Sequence, residues 1–235
     1  MIKLPLKTLL ILILIIVHTI DSSAQSIRYK KIYKEFYSET PIHYGFSFGF
    51  PSIKLFNNQI SLPTTGGIYK LSSPNNLGIQ IGGTLTYILN QQWDIKSGLN
   101  VALYDRVLEY YDSTKVKTQF NPFYGVNPFT GIEIPLLFKL KSKRRYNNSA
   151  YAYFGIKYSK AVSVKKSISK LDLKSNDLSI EYGIGFDQFF QYFKFSPEIR
   201  FSHGLLNQFK GTDPALGIEP PVLTNNSVGL VLNFE

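Results

Sequence analysis

Two histidines and a set of alternating charges are the side chains here whose types suit chemistry. His43 and His203 are the histidines left once the first 24 residues are set aside, and the chain has no cysteine. Asp94, Lys96, Glu133, Lys139, Lys157, Glu181, Asp187, Lys194, Glu198 and Arg200 stand at every second position of otherwise apolar-alternating segments. Acid–base or nucleophilic catalysis needs a base within reach of a nucleophile. His43 opens the first such segment and His203 closes the seventh, which places them at opposite ends of any sheet the segments build. Metal-ligand spacing and phosphate-binding glycine loops are absent from the sequence, and the glycines follow the alternation, where packing explains them. The chain therefore reads as non-enzymatic, with no catalytic, cofactor-binding or metal residues and no small-molecule substrate.

The elements that carry these charges alternate with period two, which sends successive side chains to opposite faces of a strand. Tyr44, Phe46, Phe48 and Phe50 form the apolar face of the first segment, and Leu77, Ile79, Ile81, Leu85, Tyr87 and Leu89 that of the second. Ile95, Leu99, Val101 and Leu103 follow, then Ile132, Ile134, Leu136, Phe138 and Leu140. In the fifth, Ala152, Phe154, Ile156 and Tyr158 are placed outward, opposite Tyr151 and Tyr153. Leu178 to Phe186, Phe193 to Phe201 and Val228 to Phe234 complete the set. Eight segments make an even count, as single-chain bacterial barrels require. Connections alternate too: roughly 56–76, 106–129, 161–177 and 206–223 are long, whereas 90–92, 141–149 and 190–192 are short. Short turns on one side and long loops on the other are the habit of outer-membrane barrels.

The expected fold is thus all-β, an eight-stranded antiparallel up-and-down transmembrane β-barrel over residues 43–235. A soluble lipocalin-like barrel uses the same alternation in the opposite sense. Two features favour the membrane sense. The faces opposite the apolar ones are rich in Gly, Ser and Thr, and aromatics cluster at strand ends (Tyr44, Tyr87, Trp93, Tyr104, Tyr158, Phe193, Phe234), as interfacial girdles do.

Residues 1–24 read as a secretory signal: Lys3 and Lys7, nine apolar residues from Leu9 to Val17, then Ser22-Ser23-Ala24. That run is short of the roughly 18 residues a membrane helix needs, so cleavage after Ala24 and export to the outer membrane are expected. Gln25 excludes lipoprotein attachment. Export makes nucleic acid an unexpected partner despite the net charge of +10. Outer-membrane lipid and lipopolysaccharide are the expected anionic partners, the latter facing a loop cluster of Lys160, Lys165, Lys166, Lys170 and Lys174. Residues 25–42 form a short periplasmic segment, in which Tyr29, Ile32, Tyr33, Phe36 and Tyr37 have helical spacing; an amphipathic helix, a disordered tail and an early strand extension all fit it.

An eight-stranded barrel has an interior just wide enough for side chains to fill. Glu133, Lys157, Glu181, Glu198 and Arg200 are expected as an outer layer of a paired luminal plug. Asp94, Lys96, Lys139, Asp187 and Lys194 form the inner one. Ile132 to Lys139 resembles a strand of Bacteroidetes outer-membrane barrels. The basic turn Lys141, Lys143, Arg144 and Arg145, with Gly183 to Asp187 and Tyr192 to Ser202, resembles the PorT (SprT) family. That resemblance implies a non-enzymatic part in type IX secretion and gliding, with no cofactor and other secretion components as partners. The basic turn would be a docking point for one of them or a solvated turn. An adhesion or envelope-stability barrel is the alternative reading of the same fold.

Overall fold

In the computed structural model the described residues are 31–57, 68–112, 123–163, 172–210 and 222–235. The expected signal (1–24), residues 25–30 and the loop lysines Lys165, Lys166 and Lys170 lie outside them. A short 3-10 helix, Glu35–Glu39, precedes the strands. They are β1 (Ile42–Asn57), β2 (Ile68–Ser72), β3 (Asn76–Leu77), β4 (Ile79–Ile88), β5 (Trp93–Asp112) and β6 (Phe123–Lys141), followed by β7 (Asn148–Ser163), β8 (Asp172–Leu173), β9 (Asn176–Phe189), β10 (Lys194–Gly204), β11 (Phe209–Lys210) and β12 (Leu223–Phe234).

Eight of these are staves of one closed antiparallel barrel, in the order β1, β4, β5, β6, β7, β9, β10, β12. The ring shuts where β1 pairs with β12 from Phe46↔Phe234 to Asn57↔Leu223. Closure leaves no sheet edge with unpaired backbone groups. Burial follows the period of two strictly: along β9 and β10 buried and more exposed positions alternate residue by residue. Phe46, Ile81, Val101, Phe154 and Ile184 are exposed on the outer wall. On β1 the apolar outward run from Ile42 to Phe50 covers about 27 Å along the strand, or about 20 Å along the barrel axis at a typical tilt.

One long connection is much shorter than the sequence suggests. β5 runs to Asp112 and β6 starts at Phe123, because the ladder continues through Arg106↔Asn127 to Tyr110↔Phe123 beyond the apolar band. Backbone pairing does not require a lipid-facing side chain, so the ribbon outlasts the hydrophobic pattern. β2 adds to this ribbon through Leu71↔Tyr110, and β8 with β11 makes a separate two-stranded sheet through Phe209↔Leu173.

Tyr104 is not part of an outer girdle. It shares the inward phase of Asn100 and Ala102, is 7% exposed and stacks on Phe129 at 4.5 Å. Tyr151 and Tyr153 also point inward and lie across the barrel wall over their cross-strand partners Gly185 and Gly183. A Cβ on Gly185 would collide with the Tyr151 ring, and one on Gly183 with the Tyr153 ring. These two glycines are therefore the floor on which the tyrosine rings lie.

Candidate functional site: the barrel lumen and its short-turn mouth

The inward phase of the staves brings charges from five strands into contact. Lys157 on β7 lies 3.4 Å from Glu133 on β6 and 3.2 Å from Glu181 on β9. Glu181 faces Arg200 on β10 at 3.7 Å, Arg200 pairs with Glu198, and Glu198 meets Lys96 on β5 at 3.3 Å. The signs alternate along the whole path from Glu133 to Lys96. Neutral groups complete it: Gln80 donates to Glu133 at 3.2 Å, Tyr151 to Glu198 at 3.0 Å, and Lys96 to Asn233 at 2.8 Å.

Toward the short-turn end the pairs become local. Lys139 meets Asp187 at 2.8 Å and sits 3.6 Å above the Tyr151 ring, while Ser196 donates to Asp187 at 2.6 Å. Lys141 meets Asp94 at 2.6 Å, and Lys194 pairs with Glu235. Lys96 is thus not a member of the inner layer, since its long side chain reaches up to Glu198. Lys141 is not a turn residue; it ends β6 and its ammonium is spent on Asp94. A cavity lined by Glu133, Lys157, Glu181 and Arg200 has a volume of about 20 Å³, room for a single water.

Charges buried this deeply are tolerated only when paired, because each carries a desolvation penalty of several kcal/mol. The network therefore fills the lumen without destabilising it. Both histidines lie outside it. His43 stacks on Tyr37 at 3.7 Å at the short-turn end. His203 shares a 3.0 Å hydrogen bond with Tyr182 on the outer wall. Among the described residues no cluster of His, Asp or Glu is placed to hold a metal ion.

The short-turn mouth is closed by residues 33–43, which run as a strap rather than as an amphipathic helix. Lys34 adopts a left-handed backbone (φ 49°) that turns the chain before the 3-10 turn. Tyr37 then drops into the mouth. Its hydroxyl donates to Glu235 at 2.6 Å and accepts from Lys194 at 2.7 Å, and its ring meets Phe189 edge-on at 5.3 Å. Burial, and then the neighbouring Glu235 carboxylate, push the Tyr37 phenol far above its ordinary range, so it stays protonated. For Glu235 burial works upward, but Lys194, Lys139 and Lys96 outweigh it and hold the carboxyl well below the usual range near 4.5.

Arg144 locks the strap from the other side. Its guanidinium donates to the carbonyls of Tyr33 and Lys34 and lies 3.7 Å over the Phe189 ring. Tyr33 N donates to Asn147 at 2.8 Å. Of the basic turn, Lys143 and Arg145 remain exposed. Glu235 escapes a reading that stops at Asn233, although it keeps the same inward phase one step further. Arg106 does the same on β5, where it lies 5.2 Å over Phe129. Tyr37 carries no such signal, because it precedes the strands.

Lys157→Met, which leaves Glu133 and Glu181 buried without their shared cation, should lower unfolding stability in lipid vesicles by about 3–5 kcal/mol. Adding Glu133→Gln and Glu181→Gln should recover most of the loss, as read from denaturant titrations. Tyr37→Phe removes two hydrogen bonds to charged groups, each worth about 1.5–3 kcal/mol. Amide exchange over residues 33–41 should accelerate in that variant while the staves stay protected. Because the folded Glu235 pKa is depressed, the clamp's contribution is present above about pH 4.5 and fades only as pH falls through the lower folded value. Strap protection in the wild type should therefore be the same at about pH 8.5 and pH 7.5, a window above the ordinary titration range of His43, which stacks on Tyr37.

Comparison with known proteins gives the family. Residues 24–210 match the family described as "Outer membrane protein beta-barrel domain". Among solved structures, the outer membrane protein OprG of Pseudomonas aeruginosa is 14% identical, with a TM-score of 0.46 over 83% of this chain and 94% of OprG. Ail, the attachment invasion locus protein of Yersinia pestis, is 13% identical, with a TM-score of 0.35 over 83% of this chain and 97% of Ail. The N-terminal β-barrel domain of P. aeruginosa OprF is 12% identical, with a TM-score of 0.32 over 80% and 96%. No curated protein matches the chain. With the family match spanning most of its length, the chain belongs to the outer membrane protein beta-barrel domain family.

Proposed function

We propose that this outer-membrane barrel is a non-enzymatic component required for type IX protein secretion, working through its faces and not through its lumen. The observation that carries the reading is the filled interior. Six charges of alternating sign cross it, and the cavity among them is about 20 Å³. A solute or cargo path would have to break several buried ion pairs at once, each break costing about 3–5 kcal/mol. The two histidines sit at opposite ends, which gives no pairing of base and nucleophile. Assignment to this machinery is supported by the resemblance of the basic turn, of Gly183 to Asp187 and of Tyr192 to Ser202 to the PorT family. The signal-like residues 1–24 support export.

In this reading the short-turn end faces the periplasm and is presented to other secretion components. Lys141 and Arg144 serve the barrel's own structure, so the docking surface on the turn comes down to Lys143 and Arg145. Deleting the gene should abolish secretion of cargo carrying C-terminal sorting signals. Lys143→Ser with Arg145→Ser should reduce it while leaving heat-dependent gel migration of the barrel unchanged. Normal secretion in the deletion strain would overturn the function and leave the fold intact.

A further inference from the structure

The outer wall changes character sharply at its long-loop end. On the outward phase, Phe50 on β1, Val228 on β12 and Phe201 on β10 are apolar. One or two outward steps further stand Lys54, Asn226 and His203. The register puts these three side by side: Lys54 pairs with Asn226 on β12, and Asn226 pairs with His203 on β10. Direct cross-strand neighbours have Cβ atoms about 4.5–5.5 Å apart, so three nitrogen-bearing side chains share one short row. Lys54 and His203 are exposed and Asn226 is half-buried.

His203 is held in place. Tyr182, on the neighbouring β9, shares a 3.0 Å hydrogen bond with its Nε2, and the two rings stack at 5.6 Å. Phe201 stacks on Tyr182 from below at 5.4 Å. The imidazole is thereby held by Nε2, which leaves Nδ1 as its open polar edge. An imidazolium in this position donates Nε2–H to the Tyr182 oxygen and Nδ1–H to an anion. Lys54 brings a second donor from the far side of the row, and the Asn226 amide a neutral one between them. Among the described residues no carboxylate pairs with this row: His203 faces Ile180 on β9, and Ser52, one outward step below Lys54, faces Leu77 on β3.

We propose that Lys54, Asn226 and His203, with Tyr182 behind them, form a binding site for a phosphate group of an outer-leaflet glycolipid. The inference rests on the outer-membrane placement of the barrel and on its long-loop end facing outward; it is independent of any part in secretion. The wall directly below is apolar, with Val228 and Leu230 exposed and Phe201 half-buried, and in the bilayer it is covered by acyl chains. A headgroup attached to those chains comes to lie at the level of the row. Charge complementarity then selects an anionic headgroup, and the donor set of ammonium, imidazole and amide suits a phosphate oxygen cluster. A site made this way fixes one lipid against the β10–β12–β1 seam, where the barrel closes.

The test uses full-length folded protein in detergent, offered either bisphosphorylated lipid A or the dephosphorylated lipid with the same acyl chains, with retained lipid counted by native mass spectrometry. Wild type should retain the phosphorylated form with about a tenfold preference, the scale of one charged hydrogen bond. Lys54→Gln with His203→Gln should bring the preference close to one while keeping heat-dependent migration, which reads folding separately. Equal retention of both lipids by wild type would overturn the site, as would an undiminished preference in the folded double variant. Inorganic phosphate, in excess and without lipid, should not bind; its binding at this row would replace the glycolipid with a free anion and overturn the proposal too.

Discussion

Neutralisation of charge inside a closed wall is the constraint on which the structure turns. Eight staves enclose a lumen that side chains can just fill, and this chain lines it with lysines, arginine and carboxylates beside apolar residues such as Leu137. Such an interior is stable when its central charges meet their opposites. The order of residues along the inward phase supplies that: Glu133, Lys157, Glu181, Arg200, Glu198 and Lys96 come from β5, β6, β7, β9 and β10 and meet with alternating sign. Shifting any one strand by one residue would bury its lipid-facing side and expose its charges, so the network also fixes the register. Tyrosines and glycines cooperate in this. Tyr151 and Tyr153 can lie flat inside because Gly185 and Gly183 give them room, and Tyr151 then lends its hydroxyl to Glu198 and its ring to Lys139.

The same electrostatics seals the short-turn mouth. Lys194 and Glu235 would form an exposed pair of little worth at a barrel rim. With Tyr37 laid over them they become part of a buried triad, and Arg144 holds the backbone that delivers the tyrosine. Residues 33–43 thus complete the plug from outside the strands. This explains why a basic turn with four cationic side chains offers two to the surroundings: Lys141 neutralises Asp94, Arg144 fastens the strap, and Lys143 and Arg145 remain exposed.

Much of this was legible in the sequence because period two is a rigid code. Phe46, Ile81 and Phe154 could be placed outside, and Glu133 and Lys157 inside, by counting alone. The same counting, carried further along β5 and β12, yields Arg106 and Glu235; stopping where the apolar residues stop is what hides them. Tyr104 shows the limit of composition. As an aromatic near a strand end it suggested an interfacial girdle, yet its phase sends it inward onto Phe129. The reach of long side chains is not legible in a sequence: Lys96 extends to Glu198 and Lys141 to Asp94, away from the layer and the turn that their positions suggest. Tyr37 was out of reach altogether, since its place depends on a left-handed turn at Lys34 and on partners about 160–200 residues away in sequence.

The central claim is that the lumen is occluded by its own ion pairs, and current through pure protein reconstituted in planar bilayers measures that directly. The account predicts no steady conductance above the bare membrane in wild type, at neutral pH and moderate salt. Stable, uniform single-channel currents from the intact, folded protein would contradict it.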